Sequence, residues 1–306
     1  MTDLILHHYP MSPFSQKVRG MLGYAGLPWR SVIVREFPPR PALAALAGGY
    51  RRIPVAQAGA DVFCDSRIIA EEIARLGNKP ELVLASLPEE QRRWVEHVDV
   101  KVFFACVLAA GNGTLRRKAM ASMSALDFTR FLWDRIKVGS TAKVPIAGLR
   151  QARPMVLAHA AELETRLKQD FLFGDTPTHA DFSTWHGLWF IRDLAESSML
   201  GKYPRTLAWM DRMSAFGEGR PKPMSPAQAL AAAHASTPRA LSDVERQGDP
   251  RIGQRVAIAP EDYWQDPTTG TLVGATASRF ILAREHADTG LVHVHFPRER
   301  FVVRTA

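Results

Sequence analysis

The sequence predicts a three-part chain: an α/β domain, then an all-helical bundle, then a small all-β barrel. Three observations carry this. Strand and helix signals alternate from residue 4 to about residue 77. From Leu87-Pro88 to about Ala235 only helical periodicity remains. After Arg255, five β-rich segments recur at intervals of about 8–12 residues, punctuated by Asp-Pro, Thr-Gly and Phe-Pro. A chain of 306 residues has room for two or three domains.

The first part starts with Leu4–His8, apolar and extended. Ser15–Gly26 sets Val18, Met21 and Leu22 on one helical face and stops at Gly26. Ser31–Val34 is β-branched and reads as a strand. Pro41–Leu46 is a short helix ending at Gly48-Gly49. Ile53–Ala56 opens a strand, and Gly59–Asp61 turns it into Val62–Cys64 as a hairpin. Ser66–Leu76 is amphipathic, with Ile68, Ile69, Ile73 and Leu76 inward. The order β-α-β-α-β-β-α is that of a mixed sheet covered by helices.

The second part reads as a bundle of Pro88–Ala109, Ala125–Val138, Pro154–Asp170, Thr178–Ala195, Lys202–Phe216 and Pro226–Ser236. The third part offers Arg255–Ala259, Thr271–Thr276, Phe280–Glu285, Leu291–Phe296 and Arg300–Arg304, enough for a five-stranded barrel. The expected domains are therefore 1–80, 86–236 and 248–306.

Composition removes several classes of function. Hydrophobic residues make up 46% and charged residues 23%, as in ordinary globular proteins. No apolar run reaches the roughly 18 residues of a membrane span, and no signal segment stands at the start. Cys64 and Cys106 are the two cysteines, without a CxxC pair, and read as small buried hydrophobes in a reducing compartment. The net charge of +8 lies upstream of Pro238; from there on, nine Arg face nine acidic residues with no Lys. A solvated basic face explains this better than a nucleic-acid partner, because no basic strand carries interleaved aromatics. His293 and His295 share a strand face, but no third metal ligand is evident beside them.

Chemistry concentrates in three short stretches. Ser12 lies where the first strand passes into a helix with Pro13 in its first turn. Its hydroxyl can cap that helix, or donate a hydrogen bond to a thiolate held at the helix's positive end. Ser15 is a second hydroxyl, ranked lower because it sits inside the helix. Ile53-Pro54 begins a strand where proline removes a ladder bond. A cis bond there would leave the Ile53 backbone N–H and C=O free for a peptide-like ligand. Asp65-Ser66 opens the amphipathic helix; it can cap it, or hold an ammonium with Asp65 and a carboxylate with Ser66.

These stretches, in this order, resemble the cytosolic glutathione transferase superfamily. The resemblance rests on SPFSQKV after the first strand, Ile53-Pro54, Asp65-Ser66, an all-helical second domain, and Thr178-His179-Ala180-Asp181 as a capping box after Phe171–Asp175. It covers about residues 1–235 and is closest to the Ser-type zeta and theta classes, and to the omega class with Ser in place of its Cys. It implies a thioredoxin-like first domain, glutathione as co-substrate, and Ser12 as the thiolate-stabilising residue. Ile53 would bind the cysteinyl backbone, Pro54 would be the cis-proline, and Asp65 and Ser66 would hold the γ-glutamyl end. Arg51 and Arg52 are both candidates for the glycyl carboxylate, with Arg52 carried in the site. Phe14, His97, Lys101 and Phe104 are the candidate electrophile side chains. With no cysteine at position 12, thiol–disulfide exchange by the chain itself is not expected.

The expected function is transfer of glutathione to a small-molecule electrophile in the cytoplasm, without metal, membrane or nucleic acid. A homodimer is compatible with it. The alternatives are a non-catalytic binding protein of the same fold, or a glutathione-dependent isomerase or reductive lyase.

Overall fold

The computed structural model describes residues 3–141 and 148–305. The chain opens with β1 (Leu4–His8), α1 (Pro13–Tyr24), β2 (Pro28–Ile33), α2 (Pro41–Ala47), β3 (Val55–Ala58), β4 (Asp61–Cys64) and α3 (Ser66–Gly77). Helices follow: α4 (Glu89–His97), α5 (Phe103–Ala109), α6 (Gly113–Ser122), α7 (Ala125–Thr141), α8 (Leu149–Arg166), α9 (His179–Trp189) and α10 (Pro204–Ala215). The rest comprises β5 (Arg220–Pro223), α11 (Pro226–His234), α12 (Asp243–Gln247), β6 (Arg255–Pro260), β7 (Thr268–Ala275), β8 (Arg279–His286), β9 (Gly290–Pro297) and β10 (Phe301–Thr305).

Two compact units result. One holds residues up to Ser15, Gly26–Glu72 and everything from Arg220 on; the other holds Gln16–Ala25 and Ile73–Gly219.

The first unit is built on one ten-stranded sheet in the order β10-β6-β7-β8-β9-β4-β3-β1-β2-β5. Its thioredoxin-like half forms as the sequence predicts. β1 is buried along its whole length, pairs in parallel with β2 and is antiparallel to β3. β3 and β4 form the expected hairpin, with Gly59 at φ 61° in the turn. The left-handed backbone there suits glycine, which has no Cβ to clash.

All five C-terminal β-rich segments are strands. The sequence did not reveal how they attach: β9 runs parallel to β4, with Asp61 opposite His293 and Phe63 opposite His295. Side chains clamp this seam. Asp61 shares a 2.9 Å hydrogen bond with His295 Nε2 and accepts the Arg239 backbone N–H at 3.0 Å. The Arg239 guanidinium in turn reaches both Glu72 oxygens, at 2.8 and 3.1 Å.

Two expected domain boundaries are corrected by this arrangement. Residues 248–306 are not a unit of their own, because one apolar core joins Leu46, Val62 and Cys64 to Leu272, Leu282, Val294 and Phe296. Nor does α11 belong to the helical bundle. Its Ala233 is part of that same core, and its Ala229 packs with Ile5 and Val32.

In the second unit, α4 continues into α5 through a π-helical turn, Val98–Val102, so the long helix from Pro88 to Ala109 is present with one wide turn. α8 begins at Leu149, before the proline expected to open it. Pro154 sits in its second turn, where the N–H it lacks costs one interior bond. α9 is buried from His179 to Leu188 and carries the predicted capping box. Thr178 Oγ1 accepts the Ala180 N–H at 3.3 Å, and Asp181 accepts the Thr178 N–H at 2.9 Å. Trp185 and Trp209 are core residues. Among the described residues no single helix is long and apolar enough to cross a membrane.

Candidate functional site

Strand register assembles the candidate site. His7 of β1 lies opposite Val55 of β3, and Val55 lies opposite Cys64 of β4. Three adjacent strands therefore end, start and end at one edge. Ser12 follows β1, Pro54 precedes β3, and Asp65 and Ser66 follow β4. Residues as far apart in sequence as Ser12 and Ser66 come from one end of the first unit's sheet.

Ser12 is 3% exposed, and its Oγ accepts the backbone N–H of Ser15 at 3.2 Å. The hydroxyl thus caps α1. A hydroxyl that accepts still has its own proton to donate, so the cap leaves the thiolate-directed hydrogen bond available. The Ser15 hydroxyl is fully buried with no hydrogen-bond partner. The Ile53–Pro54 peptide is cis, and Ile53 stands just outside the ladder that Val55 begins.

Asp65, with φ 84°, caps α3. Its Oδ1 accepts the Arg67 backbone N–H at 3.0 Å and Arg67 Nε at 3.2 Å. Asp65 rather than Ser66 thus fills the capping role. Burial raises the Asp65 carboxyl, but Arg67 and Arg52 outweigh it and hold the group below the usual carboxylate range. Ser66 is 6% exposed at the start of α3.

Arg52 departs from expectation. Its guanidinium is not free to meet a ligand carboxylate. It pairs with Asp262 and the Tyr263 carbonyl, and lies 3.9 Å from the centre of the Tyr263 ring. Burial alone would lower its pKa, yet Tyr263 and Asp262 raise it overall. Arg51 pairs with Asp266 at 3.6 Å. No local signal in the sequence announces these partners, since Asp262 lies 210 residues beyond Arg52.

Phe14 is half-buried in the first unit. In the second, His97 and Lys101 are exposed, and Phe104 is half-buried with its ring 5.4 Å from Phe103. Their assignment to an electrophile stays an expectation. The sequence reading missed a buried ion pair in the second unit. Lys17, fully buried, donates to Asp99 at 2.9 Å, and the π-helical turn carries that aspartate. Burial raises the Asp99 carboxyl, and Lys17 more than reverses this. Both cysteines are buried as expected; burial pushes Cys106 up to about 12 and Cys64 well above its ordinary value. Among the described residues no cluster of His, Cys, Asp and Glu could hold a metal ion.

A thioredoxin-like domain followed by an all-helical domain with a capping box defines the class by its fold. The comparisons agree. A model of the glutathione S-transferase N-terminal domain matches residues 6–81, and one of the C-terminal domain matches residues 146–212. A GST-like protein from Pseudomonas syringae is 33% identical over 100% of both chains, with a TM-score of 0.79. That match includes the C-terminal strands. Glutathione transferase F7 from Populus trichocarpa shares the fold at 17% identity and a TM-score of 0.50, covering 69% of this chain and 93% of that one. Glutathione S-transferase III in apo form does so at 18% and 0.50, covering 78% and 100%. No curated protein matches. The chain belongs to the cytosolic glutathione transferase superfamily.

Proposed function

We propose that this protein is a glutathione transferase in which Ser12 stabilises the thiolate of glutathione for attack on a small electrophile. The observation that carries this reading is the register His7–Val55–Cys64, which brings the α1 N-terminus, Pro54 and the α3 N-terminus to one sheet end. A γ-glutamyl peptide spanning that end has its thiol at Ser12, its cysteinyl backbone at Ile53 and its γ-glutamyl group at Asp65 and Ser66.

The chemistry asks little of the protein. A free thiol has a pKa of about 8.5, and lowering it by about two units takes about 2.7 kcal/mol. One hydroxyl donor together with the helix dipole supplies that. The thiol proton leaves to solvent. The sulfur lone pair then forms the carbon–sulfur bond, and the electrons displaced at carbon leave with the departing group or take up a proton.

Ser12→Ala tests the assignment. Conjugation of glutathione to an activated aryl halide should fall about 10²–10⁴-fold in kcat/KM. Glutathione binding by calorimetry should change only about threefold, because the other contacts remain. Unchanged turnover would refute the role of Ser12.

A further inference from the structure

We propose that the segment Glu261–Pro267, between β6 and β7, is a built-in acidic ligand for the cations beside Pro54. It makes the site indifferent to the carboxylate at the glycyl end of its thiol. The inference rests on the glutathione reading above and specifies which γ-glutamyl thiols that site accepts.

The argument begins with Arg52. Its side chain is 11% exposed, its Nη2 is shared between the Asp262 carboxylate and the Tyr263 carbonyl, and its Nε is buried without a hydrogen-bond partner. Asp262 is held from the other side as well: Oδ2 accepts from Arg300 at 3.1 Å, and Oδ1 accepts the Tyr263 N–H at 2.9 Å. The pattern repeats along the rim. Arg51 meets Asp266 at 3.6 Å, and Arg67 of α3 meets Glu299 at 3.5 Å. Three arginines of the thioredoxin-like half are each met by an acid from the connections between the C-terminal strands.

The segment is fastened, not merely adjacent. Thr268 Oγ1 donates to the Ala47 carbonyl at 2.7 Å and accepts the Tyr50 N–H at 3.2 Å. At Gly49 an added Cβ would lie 2.1 Å from the Pro267 carbonyl oxygen, so the two backbones touch where only glycine fits. A ligand carboxylate reaching for Arg52 must therefore displace another carboxylate from bonds of the same kind. The exchange is close to neutral, and the ligand gains no affinity from that charge. The chemical class accepted is a γ-glutamyl thiol with either a charged or a neutral C-terminal end.

The test compares glutathione with its glycyl ethyl ester by calorimetry on the full chain. Wild type should bind the two within about threefold of each other. Asp262→Asn keeps the side chain's shape while removing its charge. It should bind glutathione about tenfold tighter than wild type and leave the ester unchanged. A wild-type preference for glutathione of about tenfold or more would overturn the inference, and this arm needs no variant to fold. So would an Asp262→Asn protein with the wild-type ratio. In both of those outcomes glutathione still binds and the functional reading survives. Failure of both thiols to bind either protein would refute that reading and the inference together.

Discussion

His159, on α8, is a buried imidazole whose two ring nitrogens both lack a hydrogen-bond partner. Its ring lies 5.5 Å from that of Trp94. Burial, with His97 nearby, pushes its pKa from 6.5 down to about 3. The folded value is below the unfolded one. The unfolded chain therefore takes up a proton as pH falls through 6.5, while the folded chain does not until about 3. Stability is lost across that window at about 1.4 kcal/mol per pH unit for this group, or about 2 kcal/mol by about pH 5. His159→Leu removes the proton site and two unpaired nitrogens from an apolar setting. It should be neutral to stabilising by about 1 kcal/mol near neutral pH. Urea unfolding at about pH 7.5 and about pH 5 measures the rest: the advantage of the variant should grow by about 2 kcal/mol between them. An advantage equal at both pH values would refute the reasoning, since His159 would then titrate alike in both states. His7 and His186, each lowered by burial to about 4, add to the same acid lability of the wild type.

Two further perturbations test how each unit is held. Asp181 is fully buried and accepts the N–H groups of Leu172, Thr178 and Trp209 at 2.9, 2.9 and 3.1 Å. Asp181→Ala leaves three buried donors unpaired and should cost about 3–5 kcal/mol, a fall of about 10 °C in melting temperature; a fall below about 3 °C would mean those donors find other acceptors. Gly49→Ala sets a methyl group against the Pro267 backbone and should destabilise by about 1–3 kcal/mol in urea. An unchanged urea midpoint would show that the Glu261–Pro267 segment is not pinned there.

What could be read in the sequence is what the chain encodes locally. The β3–β4 hairpin needed only Gly59-Ala60 between two apolar runs, and the α9 cap needed only Thr178 and Asp181 three residues apart. Ser12, Pro54, Asp65 and Ser66 could be singled out because each precedes or follows an element whose periodicity is plain. β5 could not, because Arg-Pro-Lys-Pro carries two prolines. It forms only as an edge strand beside β2, where the missing N–H groups cost no ladder bond. α11 was legible as a helix but not as to its neighbour. An alanine-rich face suits a sheet as well as a bundle, and nothing in the nine residues chooses between them.

The long-range pairings were out of reach for a different reason. Period-two alternation in Leu291–Phe296 says that one face is buried; it does not say which strand lies alongside. The answer, β4, turns an independent barrel into an extension of the thioredoxin-like sheet. Once β9 is fixed there, the β6–β7 connection meets Arg51 and Arg52, and the β9–β10 turn meets Arg67 of α3. The same attachment that completes the core thus brings acidic side chains to the site's cations. The resemblance covers residues 1–235 and implies a ligand for Arg52, but Asp262, beyond that span, already pairs with its guanidinium.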